Sequence, residues 1–270
     1  KLDKVLPTIR VEQFVEAFLD PQTLTIELNS THKIENAGVF QLEFDIPADF
    51  ELLQVSGRGA ANVEAASIDA YRFSNDAKTR LVVSLNRRAL GQVGTLIQLR
   101  RKLSDPNLLT PTGSSSTLSI PIPRSAGDFV QWIDGMISVY APESLRINPK
   151  EKLGVRDGFI AELRAKWPST SQERYPSLNE VLILAHEIEP VTLSLEIERK
   201  KPFVTVGQML DARVETGSVK FTSTLFTKVQ YSSLVSLRLD VPELLAHEIR
   251  IATPGIRETI VNPPPADLDV

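Results

Sequence analysis

One segment of this chain returns 195 positions later without a gap: residues 7–47, PTIRVEQFVEAFLDPQTLTIELNSTHKIENAGVFQLEFDIP, lie over residues 202–242, PFVTVGQMLDARVETGSVKFTSTLFTKVQYSSLVSLRLDVP. Eight of the 41 aligned positions are identical: Pro7/Pro202, Val11/Val206, Gln13/Gln208, Ala17/Ala212, Lys33/Lys228, Leu42/Leu237, Asp45/Asp240 and Pro47/Pro242. Identity at this level is weak on its own, and phase constrains more. Phe40, Leu42, Phe44 and Ile46 alternate with polar residues, and Val235, Leu237, Leu239 and Val241 do so in the same register. Period-two alternation puts apolar side chains on one face of a strand. Asp-apolar-Pro closes that strand both times, so the chain is expected to be mostly β and assembled from repeated units.

Composition narrows the function classes. Hydrophobic residues make up 42% and charged residues 24% of 270, an ordinary globular balance. A net charge of -4 argues against a nucleic-acid partner, whose binders carry a basic excess. The chain has no cysteine, which removes disulfides, thiolate catalysis and cysteine-ligated metal sites together. No apolar run reaches the roughly 20 residues of a membrane-spanning helix. The opening Lys1-Leu2-Asp3-Lys4 lacks an initiator Met and reads as a mature or excised segment.

Three blocks follow from the punctuation. Residues 1–123 are expected to form a β-sandwich domain. Its strands are predicted at 24–28, 39–46, 51–55, 68–73, 81–85 and 95–101, with turns at Asn36-Ala37-Gly38 and Gly91 to Gly94. Asp105 to Thr117, with two prolines and three consecutive serines, reads as a long loop or linker. Residues 124–201 are expected to form a second β-rich domain or insert, with strands at 129–140, 181–188 and 191–197 and a short helix over 158–167. Residues 202–270 read as a partial repeat of the first domain, ending in an extended Pro263-Pro264-Pro265 exit. The fold class is therefore all-β, two or more β-sandwich-like domains with at most one or two short helices.

Catalytic signatures are thin. The histidines are His32, His186 and His247, and neither His186-Glu187 nor His247-Glu248 converges on one site, because neighbouring strand residues face opposite ways. HExxH, GxSxG, P-loop and dinucleotide fingerprints are absent. Asp45 and Asp240 match, but Asp at a strand exit typically caps a turn. The clusters Arg87-Arg88, Arg100-Arg101-Lys102 and Arg199-Lys200-Lys201 border strand ends and suit edge protection. Asn29-Ser30-Thr31 is a glycosylation sequon on or beside a strand. No catalytic residue, cofactor or metal site is assigned.

The run Glu198 to Val206, followed by paired strands and Leu237 to Pro242, resembles tandem β-sandwich segments of very large bacterial cell-envelope proteins. The pattern Phe44-Asp45-Ile46-Pro47, then Phe50 to Val55, then Gly57 resembles them too. The resemblance implies an extracytoplasmic location and an architectural or binding role, with no catalytic residues to carry over. The expected function is a non-catalytic structural or binding module of a cell-envelope or surface protein, working through sandwich packing and strand edges. Its partners would be other protein domains or further copies of the repeat, with no nucleic acid and no membrane span in this segment. The alternative is a carbohydrate-binding or glycoside-processing accessory domain with a polysaccharide partner. In that reading Trp132 and Tyr140 are the ligand-binding aromatics, beside paired carboxylates.

Overall fold

The structure, a computed structural model, describes every residue except 1–4, 61, 112, 162–174, 187–190, 243–244, 246–247 and 261–270, and only the backbone of Trp132. In chain order the elements are β1 (Thr8–Leu19), β2 (Thr23–Asp45), β3 (Glu51–Gly57), β4 (Glu64–Ala65), β5 (Ile68–Phe73) and β6 (Arg80–Lys102). They continue with the helix α1 (Pro106–Leu109), β7 (Ser115–Ser119), β8 (Arg124–Ala126), β9 (Val130–Pro142), β10 (Leu145–Leu153) and β11 (Val155–Asp157). The last are β12 (Leu178–His186), β13 (Thr192–Arg199), β14 (Phe203–Glu215) and β15 (Ser218–Gln230). The all-β expectation holds, with several sheets. The helix expected over 158–167 lies largely outside the described residues, as does the proline exit.

The large sheet runs β11-β12-β9-β1-β2-β6-β3, with β4 and β5 added to β6 and β8 added to β2; a second sheet runs β10-β13-β7. Contacts divide the chain into Lys1–Ser232 and Ser233–Val270. Strands from residues 1–123 and 124–201 interleave, because β9 pairs in parallel with β1 and β13 pairs with β7. The expected boundary at 123/124 has no counterpart in this pairing.

Two expected turns are bends inside continuous strands. β2 and β6 are 23 residues each, roughly 75 Å if straight, and they bend together. The bend falls where β2 bulges between Ile34 and Gln41, beside the Ile34↔Gly91 pair. Asn36 (φ 66°) and Gly91 (φ 84°) supply the left-handed backbone there. The far half of β2 thereby returns over the near half: Phe44 meets His32 edge-on, centroids 5.7 Å apart. Leu42, Phe44, Leu81 and Val83 join Val15, Leu28, Ile97, Leu193 and Leu195 in one core.

The expected linker at 105–117 is tied down. Asp105 caps α1 by accepting from Asn107 N at 2.9 Å, and Pro106 opens the helix where no donor is needed. Arg199 donates to the Leu108 carbonyl at 3.0 Å, and Ser115–Ser119 pairs with β13. Polar composition here serves caps and an outer strand.

The strand expected at 235–241 is not formed. Tyr231 takes φ 70° and the backbone beyond it is irregular across the described residues, with Val235 98% exposed. In the first copy the matching stretch, Gln41 to Asp45, pairs with Arg80–Ser84; among the described residues no strand pairs with 235–241.

Candidate interaction surface

The residues that sequence reasoning marked for chemistry are mostly consumed by the fold. Tyr140 is buried on the outer face of the large sheet, stacked on Phe18 with centroids 5.0 Å apart, and its hydroxyl donates to Glu180 Oε1 at 3.0 Å. It presents no exposed ring to a sugar. Trp132 sits on β9 opposite Arg10, and its side chain lies outside the described residues. His247 and Trp167 also lie outside them.

Carboxylates do gather, away from solvent. Glu16 and Glu27 are direct cross-strand partners and both are buried. They belong to a polar row across the outer face, Ser138, Glu16, Glu27, Gln98 and Gln54, each opposite the next. Gln98 Nε2 donates to Glu27 Oε1 at 2.8 Å, and Ser138 Oγ to Glu180 Oε1. Asn29 is buried beside them and accepts from Arg58, which removes the sequon as a surface acceptor. The row is buried at Ser138, Glu16 and Glu27, reaches half-buried Gln98 and exposed Gln54 at one end, and its carboxylates are engaged by neighbouring side chains.

A second polar row crosses the inner face: His186, Gly135, Gln13, Ser30 and Thr95, consecutive partners over five strands. Gln13 Nε2 lies 3.5 Å from His186 Nε2, and Ser125 N donates to Gln13 Oε1 at 3.4 Å. His32, one step along the same face, is 3.1 Å from Ser125 Oγ through Nε2. Burial pushes its pKa down to about 4, against a smaller opposing contribution from the Val93 backbone. Burial lowers His186 as well, partly offset by Asp134. Both rings stand neutral at pH 7, inside the core.

Asp45 is held by Arg80 at 3.2 Å and Arg124 at 3.1 Å, so its carboxylate anchors the strand exit. The basic clusters do not guard edges: β6, which carries two of them, lies between β2 and β3. Their arginines pair instead with Glu64, Glu51 and Asp49. Sequence order could not show that β6 is internal.

What the fold leaves unconsumed is the ribbon β14–β15. Its 13 pairs run from Phe203↔Gln230 to Glu215↔Ser218, closed by Thr216-Gly217 with Gly217 at φ 83°. Among the described residues neither strand pairs with anything else. The 195-residue offset carries the register of β1–β2 onto this ribbon: Ile9↔Ile34 becomes Val204↔Val229, and Leu19↔Leu24 becomes Val214↔Val219. The left-handed Asn36 becomes Tyr231.

Faces correspond as well. The inner face of β1 presents Ile9, Val11, Gln13, Val15, Ala17 and Leu19, all buried; the matching face of β14 presents Val204, Val206, Gln208, Leu210, Ala212 and Val214. On β15 that face carries Val219, Phe221, Ser223, Leu225, Thr227 and Val229. None of these twelve ribbon positions is charged, and Leu210, Val214 and Phe221 are 59%, 78% and 51% exposed. The opposite face carries Asp211, Arg213, Glu215, Lys220 and Lys228. A two-stranded ribbon is marginally stable alone in water, and this one shows solvent a core-type face.

Where the ribbon leaves β13, Arg146, Glu198, Lys200, Lys201 and Tyr231 line an open cleft, with the Lys200 ammonium 4.7 Å from the Tyr231 ring. Arg146 is paired with Glu198 at 3.1 Å, so two of the cleft's charges are already matched. Among the described residues no helix is long and apolar enough to cross a membrane. No protein-family model matches this chain, and no curated protein is similar to it.

Proposed function

We propose that the chain is a non-catalytic binding and assembly module of an extracytoplasmic envelope or surface protein, and that β14–β15 is its docking element. The carrying observation is a 13-rung ribbon whose exposed, uncharged face matches in register the buried face of β1–β2. In the first hairpin that face is completed by β9 beside β1, β6 beside β2, and a facing layer. Among the described residues the ribbon has none of the three, so a partner rich in β-structure completes it by strand addition and apolar packing.

A donor-strand peptide tests this reading. The 13-residue segment Val130–Pro142, which fills the matching edge of β1, is added to the full chain and hydrogen exchange is followed. Amides of β14–β15 are expected to slow at least tenfold. A V206K/F221K chain should lose that protection while its main thermal transition stays within about 2 °C of wild type, since exposed substitutions cost little. Unchanged exchange in the wild-type chain refutes the docking role.

A further inference from the structure

We infer that the occupant of the ribbon's apolar face is the same face of a second copy of this chain, packed face to face about a two-fold axis. This rests on the docking role proposed above and names the partner. The argument lies in where the polar groups sit. The middle rung of the ribbon is Met209↔Thr224, on the charged face; on the apolar face the two rungs beside it hold Gln208 and Ser223. Gln208 Nε2 donates to Ser223 Oγ at 2.9 Å across that midpoint.

On either side the face is apolar to its ends, Ala212, Val214, Val219 and Phe221 toward the tip and Val204, Val206 and Val229 toward the base. Thr227, the remaining base position, brings only a hydroxyl. A two-fold axis across the strands at the midpoint lays each tip on the partner's base, sets Gln208 over the partner's Leu210 and Ser223 over the partner's Leu225, and crosses the two Gln208–Ser223 hydrogen bonds at the axis. Apolar then meets apolar, and the polar pair meets groups able to exchange hydrogen bonds. Shifting the stack by two rung pairs buries that amide against Val206 or Val214 without a partner, so the pair restricts register as a lone buried polar residue does in a coiled coil.

Charge agrees with this pairing. With no charged side chain among the twelve positions, two copies meet without burying an ion, while the opposite faces keep their charges in water. The contact is isologous and closes at two copies. Thirteen rungs at ~3.3 Å and a two-strand width give a footprint on the order of 400 Å² per copy. That lies at the low end for a specific interface, so dissociation constants of about 1–100 μM are expected.

The cysteine-free chain allows a direct test. Facing sheets sit ~10 Å apart, too far for a disulfide but within reach of a bifunctional thiol reagent spanning about 5 Å. Treated with dibromobimane at 100 μM, Q208C and, independently, S223C are expected to give covalent dimers, while R213C on the charged face stays monomeric. Sedimentation of the untagged wild-type chain should show a dimer at 100 μM that dissociates on dilution and is weakened at least tenfold by V206K. A wild-type monomer at 100 μM with neither central cysteine cross-linked overturns self-pairing. If the peptide of the preceding section still protects the ribbon in that case, only the identity of the occupant fails; if it does not, both readings fail. A monomer whose ribbon amides are already protected means the face is covered from within the chain, and it overturns the inference too.

Discussion

Gly135→Ala is expected to cost about 4 kcal/mol or more and to leave little folded protein at 37 °C. Gly135 lies on β9 in the five-strand inner row, between Gln13 and His186. A Cβ there overlaps the Gln13 carbonyl oxygen and comes within 2.9 Å of His186 Nε2. The first obstacle is backbone of a central strand, which cannot yield without breaking the β1·β9 ladder. The second is a buried ring already engaged with Gln13. Glycine is needed here for space, since its φ is not in the left-handed region. Overpacking that displaces backbone is among the mechanisms behind the largest single-residue losses. Gly59→Ala is the control: the nearest atom to its Cβ is 3.4 Å away, and it is expected to stay within about 1 kcal/mol of wild type. Urea denaturation of the two variants decides the matter, and similar midpoints would refute the packing argument.

Acid is expected to weaken the fold well above the range in which carboxylates titrate. His32 is fully enclosed and its pKa falls from 6.5 to about 4 on folding. Between those values the unfolded chain binds a proton that the folded chain refuses. The contribution is therefore complete above pH 6.5 and is lost as pH falls from 6.5 toward 4, amounting to about 3 kcal/mol over the window. His186 moves in the same direction. The measurement is the urea midpoint of wild type and of His32→Gln from pH 7.5 to 5. Wild type should lose stability steadily below pH 6.5, while the variant starts lower and shows a distinctly shallower slope. Equal slopes would mean that His32 is not the proton acceptor.

Strand identity was legible from alternation in most of the sheet and misleading at 235–241, where no strand forms; strand connectivity was not legible. Asn36-Ala37-Gly38 and Gly91 to Gly94 carry turn chemistry, and the left-handed backbone they imply is present at Asn36 and Gly91. They bend continuous strands because the Ile34↔Gly91 pairing places both breaks at one level, a coincidence of residues 57 apart that no local window contains. The parallel pairing of β1 with β9 has no local signal at all, which is why an expected boundary at 123/124 cuts through a sheet. The burial of Glu16 and Glu27 was not legible, since alternation reports which residues share a side and not whether that side is later covered. The ribbon is the reverse case: its alternation was legible, but its exposure was not, because the matching residues of β1–β2 are core. Tyr140 looked like a sugar platform by residue type and became packing through Phe18 and Glu180.

The parallel pair β1·β9 also sets a timetable. β1 ends at Leu19 and β9 begins at Val130, so the outer edge of β1 stays open until more than a hundred further residues have been made. At ribosomal rates of ~5–20 residues per second that wait lasts roughly 5–20 s, and such long-range closure is intrinsically slow. During synthesis the first hairpin is thus, for some seconds, what β14–β15 remains among the described residues of the finished fold: two strands with an apolar side and nothing yet to lay against it.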